Sequence, residues 1–126
     1  MLGRRKLVGA IVVLFGLLGL SGCGGQPGPD LSSDGQLGKD LAESSGCVAC
    51  HGSNGNGGVG PPWVGLFESE VMLEDGSTVI ADASYIKRAI GDPEADHVSG
   101  YTVKMPQNQL TDDEIQLVLT YIMELG

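Results

Sequence analysis

Cysteine and histidine are scarce in this 126-residue chain, and three of the five sit together in Cys47-Val48-Ala49-Cys50-His51. The spacing is C-x-x-C-H, the attachment sequence for c-type haem. Two cysteines three apart on a helical turn project to one side, so each can form a thioether with one haem vinyl group. The histidine immediately after the second cysteine then turns its imidazole toward the iron. One covalent haem c, held by Cys47 and Cys50 and ligated by His51, is the expectation. Other chemistry competes for the same residues. A thioredoxin-like dithiol usually follows a strand at a helix N-terminus, and no strand pattern precedes Cys47. A zinc site would want a further cysteine or a histidine pair, and His97 alone remains to supply one. A chance C-x-x-C-H is the third alternative.

A haem iron has two axial faces, and beyond His51 the candidates for the second are Met72, Met105, Met123 and His97. Met105 lies in the polar run Lys104-Met105-Pro106-Gln107-Asn108-Gln109, where an apolar side chain has no periodic partner. A loop methionine can be a gap-filler, yet Met105 is the favoured ligand. Met72 reads as a strand side chain, Met123 as helix packing, and His97 as a solvated loop histidine.

The elements that must position these groups are legible in part. Thr111-Asp112-Asp113-Glu114 reads as a capping box, with Leu110 and Ile115 placed for a hydrophobic staple. Ile115, Val118, Leu119 and Ile122 then recur at i, i+3, i+4, i+7, so a C-terminal helix buries one face. Val71–Ile80 is two apolar runs around Asp75-Gly76, a hairpin signal. Between His51 and Pro61-Pro62 runs a glycine-rich stretch containing a literal G-x-G-x-x-G. A dinucleotide fingerprint needs a strand before it and a helix after it, and neither is there. The loop is read instead as backbone passing close to a flat cofactor edge.

Charge and composition bound the rest. Seven Lys and Arg against sixteen Asp and Glu give a net −9, which argues against nucleic acid as a partner. Arg4, Arg5 and Lys6 precede a charge-free run, Leu7–Leu20, and no acid occurs before Asp30. That run is short for a bilayer span but suits a signal-peptide core. It ends Leu20-Ser21-Gly22-Cys23, which resembles the bacterial lipoprotein box. On this reading residues 1–22 are a lipoprotein signal peptide and Cys23 is lipidated. Residues 23–36 are a flexible tether, and residues 37–126 a monohaem domain. Beyond residue 22 the net charge is −12. Six aromatic residues in the whole chain promise only a modest core, one that a cofactor would supplement.

The residues from about 37 to 126 resemble a class I cytochrome c. Gly38 and Leu41 match its N-terminal helix, which crosses a C-terminal helix carrying Tyr121. Ala42 stands where the family often has an aromatic, implying a looser crossing. Gly60-Pro61 matches the turn whose proline carbonyl accepts a hydrogen bond from the proximal histidine, and Met105 matches the distal ligand. The resemblance implies a mostly α fold, its terminal helices crossing around one haem, with a small β-hairpin insertion at about 71–80. The stretches Pro61–Phe67, Val71–Ile80, Asp82–Ile86, Asp92-Pro93 and Gly100-Tyr101 are similar to one branch, the cytochrome c domain fused to subunit II of some bacterial haem–copper oxidases. No copper-site sequence or transmembrane hairpin accompanies them here, so the chain would stand alone.

The expected role is electron transfer rather than catalysis. With His and Met on both axial positions, a redox change moves little but an electron. The chain would carry single electrons in a respiratory chain, from a quinol-oxidising complex to a terminal haem–copper oxidase. It would do so outside the cytoplasm, anchored to a bacterial membrane by lipid. A fixed haem subunit of a larger respiratory or dehydrogenase complex is the alternative. An open-site ligand-binding or peroxidatic haem protein is a third reading. The acidic surface favours redox partners with basic docking surfaces.

Overall fold

A computed structural model describes residues 28–126. The expected signal peptide, residues 1–22, and the expected lipidation site Cys23 lie outside the described residues. Among those described, no helix is long and apolar enough to cross a membrane. The elements in chain order are α1 (Ser33–Ser44), α2 (Val48–His51), β1 (Glu70–Met72), β2 (Thr78–Ile80), α3 (Ala83–Gly91) and α4 (Asp112–Glu124). The fold is mostly helical with one small antiparallel sheet, as the family resemblance implied.

Helix α1 begins earlier than the tether reading allowed. Its N-cap is Ser32, whose Oγ accepts from the Gly35 N–H at 3.0 Å. The Ser32 backbone N–H and hydroxyl both donate to the Glu124 carboxylate, at 2.9 and 2.6 Å. Leu31 packs against the core. Residues 33–36 therefore belong to the folded domain rather than to the expected tether. The missed signal was a contact spanning 92 positions, which a local composition argument does not register.

Helices α1 and α4 make the most extensive helix–helix interface. Gly38 and Ala42 face it, and Ala42 is fully buried. A Cβ at Gly38 would fall inside the Leu117 carbonyl and 3.0 Å from the Tyr121 Cβ. The absence of an aromatic at Ala42 is thus met by close approach rather than by the looser crossing expected.

Helix α4 starts at the anticipated capping box. The Thr111 hydroxyl accepts from the Glu114 N–H at 3.3 Å, and Glu114 Oε2 accepts from the Thr111 N–H at 2.8 Å. Three acids in the first turn face the positive end of the helix dipole. Ile115, Val118, Leu119, Tyr121 and Ile122 form the buried stripe. Met123, adjoining it, is 38% exposed, so it does not pack as the pattern suggested. Helix α3 is capped by Asp82, which accepts from the Tyr85 N–H at 2.7 Å, and buries Tyr85, Ile86 and Ile90. Pro93 then prevents its continuation.

The hairpin pairs Glu70 with Ile80, Val71 with Val79 and Met72 with Thr78. Asp75 organises its turn, accepting from the Ser77 N–H at 2.9 Å and from the Ser77 hydroxyl at 2.6 Å. The hairpin is tied down by residues 97–99. Glu74 N–H donates to the His97 carbonyl at 2.8 Å, and Ser99 N–H donates to the Met72 carbonyl at 2.9 Å.

Candidate haem site

Helix α2 is a single turn that carries the C-x-x-C-H sequence. Its start is fixed by Cys47 N–H donating to the Ala42 carbonyl at 3.0 Å, which docks the turn on the end of α1. Neither Cys47 nor Cys50 is in a disulfide, and both are half-buried. Burial is the main influence on Cys47 and pushes its thiol up, against its own backbone hydrogen bond, with Cys50 adding to the rise. A reactive redox dithiol needs the opposite shift, toward thiolate. Among the described residues no three His, Cys, Asp or Glu are grouped to hold a metal ion.

His51 is 8% exposed, and its Nδ1 lies 2.8 Å from the Pro61 carbonyl oxygen. A carbonyl can only accept, so Nδ1 carries the proton and Nε2 keeps its lone pair. Burial lowers the imidazole pKa, partly offset by the Pro61 bond, and the ring is held neutral. The glycine-rich loop makes this approach possible. A Cβ at Gly60 would sit 3.1 Å from Cε1 and 3.3 Å from Nδ1 of His51. The glycines thus let backbone close on the histidine and on Cys50.

One face of the ring is covered by Trp63, whose indole stacks on His51 with centroids 4.6 Å apart and planes at 19°. Trp63 in turn meets Tyr121 edge-on at 6.0 Å and 82°. Only a weak signal marked this residue, a lone tryptophan in an aromatic-poor chain just after Pro61-Pro62.

Cys47, Cys50, His51 and Met105 all line one cavity of about 770 Å³. That volume is within the range of cofactor sites. Core residues of α3 and α4, among them Tyr85, Ile86, Val118 and Ile122, complete its apolar lining. Two thiols, an imidazole nitrogen and a thioether facing one apolar space is a donor set suited to covalent haem. Three of the chain's six aromatics, Trp63, Tyr85 and Tyr101, line this cavity.

Met105 is half-buried on its loop. The loop is anchored by Asn108, whose Nδ2 donates to the Ile90 carbonyl at the end of α3 at 2.7 Å, while its Oδ1 accepts from the Leu110 N–H at 3.1 Å. Met72 also lines the cavity but is 60% exposed on β1. Met123 is not among the lining residues. His97 is not the solvated histidine that its sequence context suggested. Its Nδ1 lies 3.2 Å from Lys104 Nζ and 3.5 Å from Glu74 Oε2, and its Nε2 is buried without a partner.

A family model described as Cytochrome c matches residues 35–126. The chain belongs to the cytochrome c family. Its cofactor is therefore covalent haem c, one for the domain, and it is an electron-transfer haemoprotein working with redox partners. No curated protein matches the chain.

Proposed function

We propose that the chain is a membrane-tethered monohaem carrier that passes single electrons in a respiratory chain, from a quinol-oxidising complex to a terminal haem–copper oxidase. The observation that carries this is the Nδ1–H of His51 donating to Pro61 at 2.8 Å, with Met105 lining the same cavity. Haem iron supplies a one-electron couple when bound. Cys47 and Cys50 would hold the group by thioethers, and His51 and Met105 would both ligate its iron, a donor set that suits electron transfer rather than binding of oxygen or peroxide. The Pro61 carbonyl orients the imidazole and raises its basicity as a ligand. Met105, as a thioether ligand, raises the potential.

The surface supports a docking role. Val59, Pro62, Val64, Met72 and Val103 are exposed and border the cavity, with Glu70 and Glu74 beside them. Lys104 also borders the cavity, so the pull on a basic redox partner comes from the net negative charge of the domain as a whole rather than from the rim alone. Trp63 does not belong to this rim, because it is buried beneath His51. The β1–β2 hairpin supports the likeness to the domain fused to oxidase subunit II. Lipidation of Cys23 would hold the domain outside the cytoplasm, the residues between Cys23 and Leu31 serving as a tether. Several acyl chains give stable anchoring where one would be marginal.

Two experiments test the reading. Ferrous protein exposed to carbon monoxide should keep its spectrum, and a CO adduct at neutral pH would replace the carrier reading with an open-site one. Reduced protein mixed with native membranes should be reoxidised through the oxidase, at a rate that falls with added salt. A failure of the membranes to oxidise it would remove the assignment to a terminal oxidase.

A further inference from the structure

A hydrogen bond from Nδ1 constrains an imidazole at one point. It leaves the ring able to rock about the Nδ1···O direction, so the direction of its plane needs a second constraint. At His51 that second contact is aromatic. The Trp63 indole lies nearly parallel to the ring at 4.6 Å, and the Gly60 backbone comes close to its Cε1 and Nδ1. The imidazole is thereby packed against an indole face and near a main-chain segment.

The indole is itself held from several directions. Trp63 is 6% exposed, and its backbone N–H donates to the Gly55 carbonyl at 2.7 Å, which fixes the stem that carries the indole. A Cβ at Gly55 would come within 3.2 Å of the Trp63 Cβ, so that loop also closes on its stem. Its edge meets Tyr121, which lies against Gly38 at the α1–α4 crossing. A continuous packed series thus runs from the helix crossing, through Tyr121 and Trp63, to His51. An aliphatic side chain could fill the same volume, but stacking geometry also prefers one orientation of the imidazole plane.

We propose that Trp63 is a positioning residue for the axial histidine, its stacked indole fixing the direction of the His51 ring plane about the iron–nitrogen axis. The proposal rests on His51 being the axial ligand. The direction of an axial imidazole plane governs how unpaired spin spreads over a ferric haem, and hence the order and spread of the haem methyl proton resonances. This readout reports orientation separately from stability.

The test uses ferric holoprotein carrying Trp63→Phe or Trp63→Leu. Trp63→Phe retains a stacking ring and should keep the wild-type order of the four methyl resonances. Trp63→Leu should reorder them or markedly change their spread. Unchanged methyl resonances in Trp63→Leu would overturn the proposal and leave Trp63 as packing alone, even if both variants melt at lower temperature. Should Trp63→Leu fail to mature, the wild-type ferrous protein decides, since Trp63 indole protons should show cross-relaxation with the His51 ring protons. Absence of those cross-peaks would overturn the proposal. His51 ring protons lacking the large upfield shift of an axial ligand would instead overturn the ligation, a failure distinguishable from that of the stacking.

Discussion

The Gly38 backbone in α1 meets the Leu117 carbonyl in α4 with no space between them for a Cβ. This contact sets how closely the terminal helices cross, and it places Tyr121 where it can support Trp63. The crossing is closed at its other end by Ser32 and Glu124. Site and scaffold are therefore coupled through a few named contacts rather than through general burial.

Gly38→Ala should destabilise the holoprotein. Forcing a methyl into a packed interface costs about 1–3 kcal/mol, and removing a mid-helix glycine returns about 0.5–1 kcal/mol. A lowered melting temperature is expected, whereas Leu37→Ala, at an exposed position of the same helix, should lie within about 0.5 kcal/mol of wild type. Equal stability of Gly38→Ala and wild type would mean that the helices sit further apart than described.

Asn108→Ala should loosen the Met105 loop without touching the cavity's thiols or His51. It removes the bond to the Ile90 carbonyl and leaves that helix-end acceptor to water, at about 1–3 kcal/mol if the acceptor stays buried. Added imidazole should displace the sixth ligand of ferric Asn108→Ala faster than that of wild type, measured by stopped-flow absorbance. Identical displacement rates would show that Pro106 and the chain ends suffice to hold the loop.

The α4 capping box gives a pH signature. Hydrogen bonds from the Thr111 backbone and hydroxyl hold the Glu114 carboxyl below the usual glutamate range. A depressed folded-state pKa contributes stability that is complete above the unfolded value, near 4.5, and is lost as the pH falls through the folded value. The stability difference between wild type and Glu114→Gln should therefore be present at pH 7 and vanish in acid. Thr111→Ala should cost about 1 kcal/mol. A difference independent of pH would assign the effect to side-chain packing.

Much of this was legible because it is local. The C-x-x-C-H turn, the Thr111–Glu114 box and the i, i+3, i+4, i+7 stripe of α4 each lie within one or two turns of chain, and each folded as read. The hairpin was found from Asp75-Gly76 between apolar runs, to within a residue of its start. What was missed depends on distant partners. The start of α1 rests on Glu124, the burial of Trp63 on Tyr121 and His51, and the environment of His97 on Glu74 and Lys104. Met123 shows the converse, since periodicity placed it beside the stripe but could not say where the buried arc ends.

Replacing both cysteines should leave a chain that cannot retain haem through acid–acetone extraction. It should also pack poorly, since Tyr85, Ile86, Val118 and Ile122 all border the cavity. Cys47→Ala/Cys50→Ala protein is expected to lose near-ultraviolet circular dichroism while keeping part of its helical signal. A native-like near-ultraviolet spectrum without haem would mean that the core does not depend on the cofactor.

Ligation of one covalently held haem iron by His51 and Met105 can be read from the sulfur-to-iron charge-transfer band of the ferric protein. Wild-type protein should show this weak band at the red end of the visible spectrum. Met72→Ala and Met123→Ala should keep it, and Met105→Ala should lose it together with a fall in reduction potential. Retention of the band in Met105→Ala would contradict the account and move the ligand to another methionine, Met72 first because it also borders the cavity.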